Sequence, residues 1–323
     1  MNETPSFAER VRERFPEGLT GIIAIGGTRT TFILDYNRNQ TDPGYMPDFT
    51  AYGDRLLDRY HELISMFLAL GGQNLIMPVL AWQRFSEKGQ EYAEAVAMLL
   101  DWLSNEKSVA FYKSRNIDPY FAGIDTLLHL PEDHFGHQAA QRLTAFQKGW
   151  DYQEGRHKLV WEVAPIPLFS VLRAHKVLGE EALLALEAEI AATDDLAKID
   201  DLTYRYYAKA LYGTEVPMPH FYLGSNRKGD LKLRSMLPFA LYSGAPMRLY
   251  FTPYPSLFTQ FETLQNIIDD LAFGKQKLSR EKDYRGQLTP EAVQTAYQNV
   301  MQLSSDASTT VGLLYQPAKD ARD

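Results

Sequence analysis

Two short segments of this 323-residue chain carry side chains whose types and spacing suit a phosphorylated anion. The first is Gly26-Gly27-Thr28-Arg29-Thr30. Glycines let backbone N–H groups approach an anion, the threonine hydroxyls add donors, and Arg29 adds charge-assisted bonds. This is the chemistry of a diphosphate cradle. It is neither a Walker loop nor a GxGxxG fingerprint, and the same residues also suit a plain glycine turn with an exposed arginine. The second segment runs from Ser225 to Ser235 and holds Arg227, Lys228, Lys232 and Arg234 in an otherwise acidic chain. Such density suits a second anion site or a solvated basic loop. A third set is aromatic: Tyr52, Trp82, Tyr92, Tyr120, Phe121 and Trp161. Aromatic faces stabilise a passing carbocation, and a tyrosine hydroxyl can hold water or take a proton; otherwise such residues fill a core.

Other chemistries find no motif. There is no aspartate-rich DDxxD and no DxDD, and the pairs Asp194-Asp195, Asp200-Asp201 and Asp269-Asp270 read as solvated helix faces. No HExxH or GxSxG occurs, and the seven histidines are scattered. With no cysteine in the chain, thiolate nucleophiles, thiolate metal sites and disulfides are absent, which fits a cytoplasmic protein.

The elements that must position these residues alternate between apolar strands and amphipathic helices. Strands are expected at Gly21–Ile25, Asn74–Ala81, Asp118–Gly123, His157–Val163, His220–Leu223 and Met247–Thr252, with a closing strand at Thr309–Tyr315. Helices are expected over Asp48–Leu70, Glu91–Leu103, Glu132–Lys148, most of Pro167–Tyr212, Pro255–Leu278 and Thr289–Leu303. In the first of these, Leu57, Tyr60, Ile64 and Phe67 share one face, and Gly71-Gly72 supplies the stop. Strands alternating with helices indicate an α/β fold with a mostly parallel central sheet, whose ligands bind at the carboxyl ends of the strands. Both basic loops follow strands.

The chain reads as one domain over residues 1–323, with an N-terminal extension at 1–18 and a tail at 316–323. The first residues lack the apolar segment of a signal peptide, and no apolar run approaches the roughly 20 residues that span a bilayer. A net charge of −8 argues against general nucleic-acid binding, while leaving room for a local basic pocket.

Taken together, the motifs resemble those of tuberculosinol/isotuberculosinol synthase-like diterpene synthases of the cis-prenyltransferase (undecaprenyl diphosphate synthase) fold. The segment Gly26-Gly27-Thr28-Arg29-Thr30-Thr31-Phe32 resembles that family's DGTRRWF. Tyr52 matches a family active-site tyrosine, and Gly89-Gln90-Glu91-Tyr92 resembles the segment bringing a second one. Phe111-Tyr112-Lys113 and His157-Lys158-Leu159 match further stretches. The most specific likeness is Leu249-Tyr250-Phe251-Thr252, followed by Pro255-Ser256 and Glu262-Thr263-Leu264.

The resemblance implies ionisation of a prenyl or cyclised diterpenyl diphosphate to an allylic cation, then water capture or proton loss to give an alcohol or olefin. In that scheme Arg29 and the Gly26–Thr30 loop hold diphosphate, with Arg227, Lys228 and Arg234 as further phosphate ligands. Tyr52 and Tyr92 shape the cation, and Trp82, Tyr120, Phe121 and Trp161 line an apolar pocket. It also implies Mg²⁺ carried with the substrate and a homodimer. Elongating relatives of the fold instead condense an allylic partner with isopentenyl diphosphate, and some relatives are catalytically silent subunits. The sequence departs from the pattern at Gly26, where the family has aspartate, at Thr30, where it has a second arginine, and at Gly224, where an arginine is expected. Asp35 and Asp54 are the alternative metal ligands.

Overall fold

A computed structural model describes residues 5–26, 28, 49–82, 90–225, 233, 247–274 and 289–305. At its centre is one six-stranded sheet in which every pairing is parallel. The strands are β1 (Leu19–Ile23), β2 (Gly72–Leu80), β3 (Ile117–Ala122), β4 (His157–Val163), β5 (Phe221–Ser225) and β6 (Arg248–Thr252), in the order β3-β4-β2-β1-β5-β6. All their carboxyl ends therefore lie along one edge of the sheet. β1 is buried along its whole length, as expected of a central parallel strand covered on both faces.

The helices are α1 (Phe7–Arg14), α2 (Phe49–Ala69), α3 (Gln90–Trp102), α4 (Glu106–Ser114), the short α5 (Ile124–Leu127), α6 (Phe135–Gly149), α7 (Pro167–Ala191), α8 (Leu196–Tyr212), α9 (Phe261–Phe273) and α10 (Pro290–Ser305). α2, α3 and α6 join one large core with Leu75, Met77, Leu159 and Trp161, while α8 builds a second core over Ile22, Ile76, Val160 and Tyr222. The predicted stripe of α2 is realised: Leu57, Tyr60, Ile64 and Phe67 are all buried. At its end Gly71 has φ +93°, and a Cβ there would lie 2.7 Å from the Ala8 carbonyl oxygen, so a residue without a side chain makes the turn into β2.

Polar side chains lock the amino-terminal half of the sheet. The buried Asn74 donates to Thr20 Oγ1 at 3.1 Å, and the Thr20 N–H donates to His220 Nδ1 at 3.1 Å, which ties β2 and the residue preceding β5 to β1. The buried Asp118 of edge strand β3 accepts from Trp150 Nε1, the Gln153 N–H and Arg156 Nη1.

Three differences from the sequence reading have local causes. Residues 7–14, assigned to an extension, form α1, and its Val11 is fully buried in the main core. The helix expected over Pro255–Leu278 is broken: a 3-10 turn at Ser256–Phe258 precedes α9, because Thr259 and Gln260 are extended. Residues 106–114 form α4, capped by Asn105, whose side chain accepts from the Ser108 N–H at 2.9 Å. The strand expected at Thr309–Tyr315 and the tail lie outside the described residues.

Candidate active site

The carboxyl end of β1 is held at two points. After Ile23 the chain continues through Ala24 and Ile25 to Gly26, still inside the protein. The Gly26 N–H donates to Ser256 Oγ at 3.1 Å, and the Ser256 hydroxyl donates to the Ala24 carbonyl at 2.9 Å. Ser256 is fully buried and opens the 3-10 turn after β6, so one hydroxyl clamps the root of the glycine loop to the far side of the sheet. Thr252, at the end of β6, supports that turn by donating from Oγ1 to the Tyr254 carbonyl at 2.8 Å. With its N–H engaged by Ser256, Gly26 serves to fix where the loop starts.

On the same face of the sheet as that turn, α2 brings Tyr52 to the loop. Its hydroxyl donates to Thr28 Oγ1 at 2.6 Å, and its ring is buried against the main core. Tyr60 lies two turns further along α2. Burial holds its phenol protonated far above the ordinary tyrosine range, and the neighbouring Tyr52 pushes in the same direction. Tyr60 stands 5.7 Å, ring to ring, from Trp161. Trp161 Nε1 donates to the Tyr112 hydroxyl at 3.0 Å, and that hydroxyl donates to the Leu103 carbonyl at 2.7 Å. The result is a run of aromatic side chains from the loop to the middle of the core.

The residues singled out from the sequence are distributed unevenly over this site. Thr28 and Tyr52 are brought together, and Gly26 sits beneath them. Trp82 follows β2 at the same edge and is partly exposed. Trp161 and Phe121 are buried in the core on the α2 face. Tyr120, one residue from Phe121, points to the opposite face of the sheet, where it stacks on Tyr152 with ring centroids 4.7 Å apart. The four aromatics therefore do not line one cavity, because the two-residue period of a strand separates Tyr120 from Phe121. Tyr92 lies in α3. Gly27, Arg29, Thr30, Asp35, Arg227, Lys228 and Arg234 lie outside the described residues. Ser256 and Tyr60 are additions that spacing alone did not mark as site residues. The Pro-Ser dipeptide just after a strand was the available signal for Ser256.

The donors among the described residues do not form a protein-held Mg²⁺ site. Among the described residues no three aspartates, glutamates or histidines come together, Gly26 offers no carboxylate, and Asp54 is exposed on α2.

No family model matches the chain, and no curated protein matches its sequence. Similarity appears among solved structures. Lavandulyl diphosphate synthase from Lavandula x intermedia, in complex with dimethylallyl diphosphate, aligns over 80% of this chain and 96% of its own, with a TM-score of 0.50 and 15% identity. A probable undecaprenyl diphosphate synthase from Campylobacter jejuni aligns over 78% and 94%, with a TM-score of 0.45 and 13% identity. At 15% identity the likeness is one of fold: this is a single-sheet, all-parallel α/β protein of the cis-prenyltransferase fold.

Proposed function

We propose that the protein is a terpene synthase that removes diphosphate from a prenyl or cyclised diterpenyl diphosphate and releases an alcohol or olefin. The observation that supports this best is the contact between Tyr52 and Thr28 at the carboxyl edge of β1. It sets an aromatic hydroxyl beside the loop that the sequence marks as an anion cradle, at the edge where parallel α/β sheets bind ligands. In this reading Arg29, with the Gly27 and Thr28 amides, holds the diphosphate, and charge-assisted bonds stabilise it as it leaves. Arg227, Lys228 and Arg234 are further phosphate ligands. The faces of Tyr52 and Tyr92 stabilise the allylic cation, which loses a proton or is captured by water. Trp82 bounds the apolar path. Mg²⁺ enters as an ion borne by the substrate diphosphate, since the described residues offer it no ligand set, and a homodimer is the expected assembly.

The test is diphosphate release and product analysis with purified protein. Substrates are farnesyl, geranylgeranyl and cyclised diterpenyl diphosphates, each with and without isopentenyl diphosphate and Mg²⁺. Conversion of a single substrate to an alcohol or olefin supports the reading. Product lengthening that needs isopentenyl diphosphate replaces it with chain elongation, and silence on every substrate replaces it with a non-catalytic subunit. Arg29→Ala is expected to lower turnover by about 10²–10³-fold, the usual loss for one preorganised charge donor, with the melting temperature unchanged. Full activity in that variant overturns the cradle assignment.

A further inference from the structure

Beyond the edge strand β3, on the side away from the β1 loop, lies a cavity of about 240 Å³. It sits between α6 on one side and α7 and α8 on the other, with the β3 end at Phe121 and Gly123 as its back wall. Three strand spacings of about 4.8 Å separate β3 from β1, so the cavity is about 14 Å from the loop and is a different place.

Its polar groups are few and unusual. Ser170 is 3% exposed, and its Oγ is buried with no hydrogen-bond partner. One turn on, Arg173 keeps its Nε buried and equally unpartnered, with the guanidinium 6.0 Å from the Phe169 ring centroid. Asp125 shares the cavity with them. Burial raises its pKa, and the nearby Arg173 partly offsets this, yet the two form no ion pair. Gln147 joins them, its carbonyl oxygen accepting from the Phe121 N–H at 2.6 Å. A buried donor left without a partner costs roughly 1–3 kcal/mol, so an orphaned serine and an orphaned arginine nitrogen beside one cavity mark a place where something polar belongs.

Thr144 and Tyr212 also line it, but their hydroxyls already donate to the Ala140 carbonyl and to Glu162; the other side chains, among them Ile124, Leu128, Val177 and Leu211, are apolar. One cation and one carboxylate leave the polar end without net charge, so a charged ligand would leave one of them opposed or unmatched. A hydroxyl can do both jobs at once, accepting from Ser170 or Arg173 and donating to Asp125. At about 30 Å³ per small liquid molecule, the volume suits about eight non-hydrogen atoms.

We propose that this cavity is a second ligand site for a small neutral alcohol with an apolar body of about five to seven carbons, the size its volume allows. The site is independent of the reaction proposed for the β1 loop, and its test reads binding alone. Hexan-1-ol and hexanoate have the same body and differ in charge. Titrated into the full-length protein by calorimetry, hexan-1-ol is expected to bind at least about tenfold more tightly than hexanoate. Free leucine, a zwitterion that meets both charges only by giving up the hydration of its own ammonium and carboxylate, is expected to bind more weakly than the alcohol. Ser170→Ala is expected to weaken hexan-1-ol by about two- to tenfold, the worth of one hydrogen bond. Val177 is 60% exposed at the rim, so Val177→Trp can fill the mouth without disturbing the core and is expected to abolish binding. The assignment fails if hexanoate or leucine binds more tightly than the alcohol, if Val177→Trp leaves affinity intact, or if hexan-1-ol does not bind up to its solubility.

Discussion

At the scale of single residues, the described part of the candidate site is held together by hydroxyls. Ser256 is the clearest case, since one buried side chain satisfies both the Gly26 N–H and the Ala24 carbonyl. Ser256→Ala leaves both groups buried without a partner and is expected to cost about 1–3 kcal/mol. Urea denaturation would measure this as a lower midpoint at unchanged slope, and an unchanged midpoint would show that water takes over the clamp. Tyr52→Phe removes only a hydroxyl. It should leave the same midpoint within error while slowing turnover, if the contact with Thr28 orders the loop. Gly26, Thr28 and Tyr52 were singled out in the sequence by residue type, and the structure brings the last two within 2.6 Å of each other. Ser256 was not, because its partners are 230 and 232 residues away and no local spacing encodes such a meeting.

At the scale of elements, the sequence was most readable where apolar periodicity is long. The helix expected over 48–70 forms over 49–69, and the strand expected at 157–163 forms with the same bounds. The short helices were harder, because eight or nine residues hold barely two turns of pattern. Their caps were nevertheless written out: Ser6 and Glu9 make a reciprocal capping box that leads into α1. Packing between helices was not readable at all. A Cβ on Gly53 of α2 would fall 1.0 Å from the Trp102 ring at the end of α3. Gly53→Ala must therefore push the two helices apart, and a loss of about 1–3 kcal/mol is expected despite alanine's better helix propensity. Combining it with Trp102→Leu should recover part of that loss. A strictly additive double mutant would show that the contact is not the cause.

At the scale of the whole molecule, half-buried histidines give the fold an acid limit. His61 stacks on Phe111 with ring centroids 3.9 Å apart, and burial, helped by Lys107, lowers its pKa to about 4. Burial likewise lowers His157 and His220, and His220 Nδ1 already accepts the Thr20 N–H. In each case the unfolded chain takes up a proton near pH 6.5 while the folded chain resists it. Their contribution to stability is thus complete above pH 6.5 and is lost as pH falls toward 4. Denaturation midpoints measured across that window should fall with pH, and His61→Phe, which keeps the stacking, should flatten the slope; an equal slope in the variant would exclude His61 as its source. The sheet order has a further consequence, one of timing. Gly21 of β1 pairs with Leu75 on one side but with Phe221 on the other, 200 residues downstream. During synthesis at about 5–20 residues per second, the central strand waits about 10–40 s with one flank bare before its second neighbour leaves the ribosome. Over that interval a nascent chain ending near Gly213 is an incomplete sheet with an open, apolar middle, and it is the species on which chaperones would act.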